Sequence, residues 1–226
     1  FFLNGGYYLP LGEHFDLQLT GDIYSRGSWG LRAVSRYRTR YRYSGSLDIS
    51  RSTLLNSIRE YPDFSKQNNF FIRWNHVVDP KASLTDRFTG SVNIGSSTNF
   101  TNNFNSSTGD YLSNTFQSNV QWNHLWIGKP YSLAVGLRHS QNTLNQTFDL
   151  TLPTATFNVQ RVFPADWFRS EDHVGGRNWT DNIGLSWSSS FDNRISTTED
   201  QLFIDNLPVL ARQMQNGLRH TGAIGT

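Results

Sequence analysis

From His14 to Ser25 the chain reads HFDLQLTGDIYS, with Phe15, Leu17, Leu19 and Ile23 on one parity and Asp16, Gln18, Thr20 and Asp22 on the other. Successive side chains of a strand point to opposite faces, so this period of two predicts a strand with one apolar face. After RGS, the stretch WGLRAVSRY opposes Trp29, Leu31, Ala33 and Tyr37 to Arg32, Arg36 and Arg38. YRYSGSLDIS then sets Tyr41, Tyr43, Gly45, Leu47 and Ile49 against Arg42, Ser44, Ser46 and Asp48. The same rule predicts strands over 69–78, 87–96, 112–124, 131–140, 147–163, 182–191 and 217–224. Roughly ten strands of about ten residues result, the length that crosses a bilayer when tilted.

Alternation is shared by soluble sandwiches and membrane barrels. The polar parity separates them, because it is a dense row of Arg, Asp, Asn, Gln and Ser on every strand. Aromatic residues gather at strand ends on the apolar parity, with Tyr37, Tyr41 and Tyr43 at one rim and Trp122 and Trp126 near another turn. Rings flanking an aliphatic band are the girdle of an outer-membrane barrel. The fold class expected is therefore all-β, a transmembrane antiparallel β-barrel, with residues 1–226 in one barrel domain. With the turn at 38–40 on the periplasmic side, the polar loops 53–67, 97–110 and 192–215 all fall on the other side, as barrels require. The connection 164–178 breaks that rule, and Pro153 interrupts a strand, which calls for a bulge or a different boundary.

Composition narrows the classes further. No apolar run approaches the eighteen residues that a spanning helix needs, so a helical membrane protein is excluded. Aromatic residues make up 14% of the chain, which favours strands over helices. A formal charge of only +2 gives a nucleic-acid role no overall support. With no cysteine, disulfides, zinc-thiolate sites and thiol nucleophiles drop out. No GxSxG, P-loop, HExxH or EF-hand pattern occurs, and the six histidines have no metal-ligand spacing and read as rim or loop residues. The chain is read as a non-enzyme, with no catalytic residue, no metal and no cofactor. Its opening, FFLNGG, is neither an initiator methionine nor a signal sequence, so a longer protein is expected.

The stretch SRYRTRYRYSGS, residues 35–46, concentrates the chemistry. A nucleic-acid grip needs rings and arginines in one groove, whereas strict alternation sends them to opposite faces. A three-residue turn at Arg38-Thr39-Arg40 would pair Tyr37 with Tyr41 and Arg36 with Arg42. Pairing across RGS would set Asp22 opposite Arg32 and Asp16 opposite Arg38. Arg32, Arg36, Arg38, Arg42, Asp16 and Asp22 are then expected to line a wet lumen, while Tyr37, Tyr41, Tyr43, Trp122 and Trp126 meet lipid headgroups. Arg36 beside Arg42 without an acid invites an anion, and a phosphate-bearing ligand suits the guanidinium fork.

GGYYLPLGEHFDLQLTGDIYSRGSWGLRAVSRYR resembles the early barrel strands of the LptD (OstA) family of outer-membrane lipopolysaccharide-assembly proteins. RYSGS, DPKA, LRHSQNT with LTLPTATFNVQRVFP, and GLRH are similar to later landmarks of that family, in order. The resemblance implies a barrel of about twenty-six strands, of which residues 1–226 would be a partial domain, in the outer membrane of a Gram-negative cell, plugged by a lipoprotein of the LptE type. It also implies a jelly-roll domain, outside this chain, that takes lipopolysaccharide from periplasmic bridge proteins. Sugars would pass through the lumen and lipid A would leave through a seam, near which Pro10 falls. Partners implied are lipopolysaccharide, the plug lipoprotein, the bridge proteins and membrane lipids, with no nucleic acid. Alternation alone also fits a passive porin-like barrel, or a soluble β-sandwich that binds glycans or nucleic acid.

Overall fold

The computed structural model describes residues 1–57, 60–97, 115–167, 179–201 and 207–225. Their strands are β1 (Phe2–Pro10), β2 (Phe15–Ile23), β3 (Trp29–Thr39), β4 (Tyr43–Asn56), β5 (Ser65–Val78), β6 (Asp86–Gly95), β7 (Thr115–Leu125), β8 (Tyr131–Asn142), β9 (Thr147–Val162), β10 (Gly184–Thr198) and β11 (Gln215–Gly225). One seven-residue helix, α1 (Leu207–Gln213), precedes β11. All eleven strands join in sequence order into a single antiparallel sheet, and β1 and β11 are its unpaired edges. The all-β expectation holds, with β1 added and with β4, β5 and β10 longer than the periodicity indicated. The loops expected over 53–67 and 192–215 shrink accordingly, because β4 runs to Asn56, β5 starts at Ser65 and β10 runs to Thr198.

The registers keep each parity on one face. Leu19, Ala33, Ile49, Ile72 and Ile94 stand opposite one another across β2 to β6, and Gly90, Val120 and Leu137 continue the apolar face across β6 to β8. Pro153 is accommodated by a bulge, as its missing N–H requires. The Leu152–Pro153 bond is cis. The ladder skips both residues, passing from Thr154 to Thr151 opposite Gly136 and Arg138 on β8 and opposite Asp192 and Arg194 on β10. The shift brings Phe148 and Leu150 onto the face of Ala155 and Phe157.

The shortest ladder lies between β6 and β7, whose register runs only from Asp86 opposite His124 to Ser91 opposite Asn119. Beyond it, side chains replace the ladder. The Ser118 hydroxyl accepts from the Asn93 amide and donates to the Asn93 carbonyl, both at 3.0 Å, and the Gln141 amide donates to the Gly95 carbonyl at 2.8 Å. The end of β6 thereby crosses the ends of β7, β8 and β10. Phe71 packs on Phe116 at 5.4 Å between ring centroids, and the Ser97 hydroxyl donates to the Glu199 carboxylate. Phe116, Gln141, Phe148, Ile195 and Thr197 are buried there. This half of the apolar parity is thus covered by protein. Loop 97–110 lies, apart from Ser97, outside the described residues, as does most of the connection 164–178, including His173.

Candidate functional site

The polar face is a wall of charged and amide side chains held by the strands themselves. Arg32 on β3 grips Asp48 on β4 with both arms, Nε at 3.0 Å and Nη2 at 2.6 Å. Arg73 of β5 stands opposite Asp48 and opposite Asn93 of β6, to whose side-chain oxygen its Nε donates at 3.2 Å. The Asn93 amide in turn donates to the Gln117 carbonyl of β7 at 3.2 Å. A line of donors and acceptors therefore crosses from β3 to β7. Asp48, Arg73 and Asn93 were not among the residues expected to line the lumen, although Asp48 was already placed on the polar parity; their signal was that parity, beside Ile49, Ile72, Trp74 and Val92.

Several expected pairings are corrected. The turn after β3 is two places later than expected: Thr39 stands opposite Tyr43, leaving Arg40, Tyr41 and Arg42 in the turn, with Tyr41 at φ 59°. Arg36 consequently faces Ser46 and Tyr37 faces Gly45, so Arg36 and Arg42 are not neighbours. On the other side Asp16 faces Arg36 rather than Arg38, and its Oδ1 accepts the Arg36 amide N–H at 2.8 Å. Asp22 faces Gly30 rather than Arg32 and accepts the Asn4 amide at 2.6 Å. Two turns explain the four differences, the one after β3 centred two residues later and the one between β2 and β3 centred one residue earlier than expected, since moving a turn resets every pair beyond it. Arg36, Arg38 and Arg138 make no ion pair among the described residues.

Four of the expected residues do meet. A cavity of about 590 Å³ at the short-turn rim is lined by Pro10, Asp16, Arg36 and Arg38, with Tyr8 and His76. Pro10 closes β1 opposite Asp16.

The apolar face carries a belt of rings at the same rim. Phe15 stacks on Tyr37 at 5.7 Å, Tyr37 meets Tyr43 edge-on at 6.1 Å, and Tyr43 stacks on His76 at 5.8 Å. His76 then touches Phe88, which stands opposite Trp122. Beyond, Trp122, His124, Trp126, Phe157, Trp187 and His220 follow in contact to β11. Tyr37, Tyr43, Trp122 and Trp126 thus occupy a belt, while Tyr41 sits in the turn instead. His76, His124 and His220 belong to this belt, and His139 is buried on β8, so the rim-or-loop expectation is corrected for His139. Among the described residues the belt lies at one rim; at the other, the ends of β7 to β10 are the covered region described above.

The polar tips of the belt satisfy one another. Tyr37 Oη accepts from Trp74 Nε1 at 2.9 Å and bonds His76 Nδ1 at 2.9 Å. Gly45 makes room: a β-carbon there would collide with the Tyr37 phenol and the Asn75 carbonyl. A ring packed over a strand glycine fills the gap left by the missing side chain.

Arg32 is half exposed and its partner largely covered. An ion pair on a wet surface is screened and contributes little. Arg32→Gln is therefore expected to cost less than about 1 kcal/mol, with a difference from the parent that shrinks as salt is added, read from urea unfolding midpoints.

The family profile described as LptD protein matches residues 1–226, the whole chain. The chain belongs to the LptD family. LptD proteins are outer-membrane β-barrels, and the two-faced antiparallel sheet of this LptD-family chain is of that kind. At family level, membership implies a part in lipopolysaccharide transport and assembly. No curated protein matches the chain.

Proposed function

We propose that this chain forms part of the wall of an outer-membrane barrel that carries lipopolysaccharide to the outer leaflet. The observation that supports it most is the division of the sheet into two unlike faces: a charged wall on one, an aliphatic band and a ring belt on the other. On this reading the polar face lines the lumen, where sugars and phosphates travel in water, and the belt meets the headgroups.

The chain's own residues act by charge and shape alone. The guanidinium groups of Arg36, Arg38 and Arg138 offer forks to phosphate oxygens, and no covalent step is involved. Asp16 and the Arg32–Asp48 pair keep the wall from becoming a single-sign trap that would hold the cargo too tightly. β1 is the strand from which a lateral gate would open: its pairing to β2 shifts between Phe2 and Gly5, Asn4 sits at φ 52°, and Pro10 donates no ladder hydrogen bond. A plug lipoprotein of the LptE type and periplasmic bridge proteins complete the route.

A photocrosslinking amino acid at Arg36 in the full-length protein in cells is expected to capture lipopolysaccharide, whereas one at Leu47 captures hydrocarbon chains of the surrounding bilayer. An adduct at Arg36 with bystander lipids alone would sink the transporter reading in favour of a passive pore.

A further inference from the structure

The short-turn rim holds a second cationic feature that a lumen wall does not explain. Arg40, Tyr41 and Arg42 form the β3–β4 turn, and Asp79 and Pro80 begin the β5–β6 turn beside it. The two turns are tied by the Asp79 amide, which donates to the Arg42 carbonyl at 2.8 Å. Between them opens a cavity of about 330 Å³, walled by Arg38, Arg40, Tyr41, Tyr43, Asp79 and Pro80. Lys81 Nζ stands 5.5 Å from the centroid of the Tyr41 ring, adding a fourth cation beside Arg38, Arg40 and Arg42.

These cations lack a counter-charge. Among the described residues none of Arg38, Arg40, Arg42 and Lys81 makes an ion pair. The one acid of the cavity, Asp79, directs its Oδ1 to the Lys81 backbone amide at 2.9 Å. Cations gathered on and beside one cavity with no paired acid repel one another, which favours an anion among them. The height of the cavity says which anion. Tyr43, one of its walls, also belongs to the ring belt through Tyr37 and His76, and aromatic belts sit where hydrocarbon gives way to headgroups.

We propose that this cavity binds the phosphodiester of an anionic glycerophospholipid in the leaflet on the short-turn side. Arg40 takes the phosphate oxygens, Lys81 and Arg42 supply the surrounding positive field, and Tyr43 lies against the glycerol and the first acyl carbons. The lipid anchors the rim at a fixed depth and joins the β3–β4 and β5–β6 turns. This site rests on the membrane-barrel reading given above.

The test titrates the detergent-solubilised full-length protein with phosphatidylglycerol and, separately, with phosphatidylcholine, reading bound lipid by native mass spectrometry. Phosphatidylglycerol is expected to bind preferentially, and its affinity to fall as salt rises from about 50 to about 500 mM. The double variant Arg40→Gln, Lys81→Gln is expected to weaken it about 25-fold, roughly fivefold per cation. Arg212→Gln, at the opposite rim, is expected to leave it unchanged. Equal binding of the two lipids by the unaltered protein would overturn the proposal whatever the variants do. So would a double variant that binds like the parent, or lipopolysaccharide as the species the two substitutions release. Heat-modifiable migration on gels separates the two levels: loss of lipid preference with that migration intact overturns the site alone. A protein that never inserts into vesicles overturns the site and the barrel reading together.

Discussion

Ile49→Arg is expected to cost about 2 to 4 kcal/mol of folding stability in a lipid bilayer, the range for a cation placed on the lipid face near the midplane of a barrel. Ile49 is 42% exposed on the apolar face, between Ala33 and Ile72, with no polar side chain opposite it on either neighbour. Arginine there puts a charge into hydrocarbon, and the strand has no turn within snorkelling reach. Thr89→Arg supplies the comparison. Thr89 is exposed on the polar face of β6, opposite Val77 and Gln121, and a cation there remains in water, so little change is expected. Urea-dependent folding of both variants into lipid vesicles, followed by tryptophan fluorescence, measures the difference. Equal losses would mean that the two faces meet the same solvent, and the membrane assignment would fall.

Gly45→Val is expected to destabilise the sheet by about 3 kcal/mol, at the upper end for forcing extra carbons into a packed position. The new β-carbon meets the Tyr37 phenol on one side and the Asn75 backbone carbonyl on the other. Only the ring can yield, and when it does Trp74 Nε1 and His76 Nδ1 lose their common partner. Tyr37→Phe isolates the second half of that effect, because it keeps the ring over Gly45 and removes the hydroxyl alone. It is expected to cost about 2 kcal/mol, the penalty for leaving covered polar groups unpaired. Urea midpoints of both variants in detergent micelles test the order. Were Tyr37→Phe to cost as much as Gly45→Val, the hydrogen bonds rather than the close packing would hold this part of the belt.

Much of this was legible in the one-dimensional pattern. Asp16, Gln18, Thr20 and Asp22 against Phe15, Leu17, Leu19 and Ile23 could be assigned to opposite faces without coordinates, because parity along a strand is fixed by the backbone alone. Partners across strands were less legible. The hairpin after β3 has its turn at Arg40–Arg42 rather than Arg38–Arg40, and both placements keep parity, so the pattern could not choose between them. Choosing wrongly moved Tyr41 onto the belt and set Arg36 beside Arg42. Histidines scattered 76, 124 and 220 residues along the chain gave no sign of a shared role, since each joins the belt only through the registers of its neighbours.

The sequence by itself determined that this is a sheet protein with one wet and one greasy face, because a period of two is a local property that each strand carries independently. Tertiary structure alone decided that Arg32 holds Asp48, that Ser118 ties the end of β6 to β7 and Gln141 ties it to β8, and that rings from β2 to β11 form one belt. Those outcomes depend on register and on where a strand leaves its neighbour. Both are set by competition among many nearly equal hydrogen-bonded alignments, which only the assembled sheet resolves.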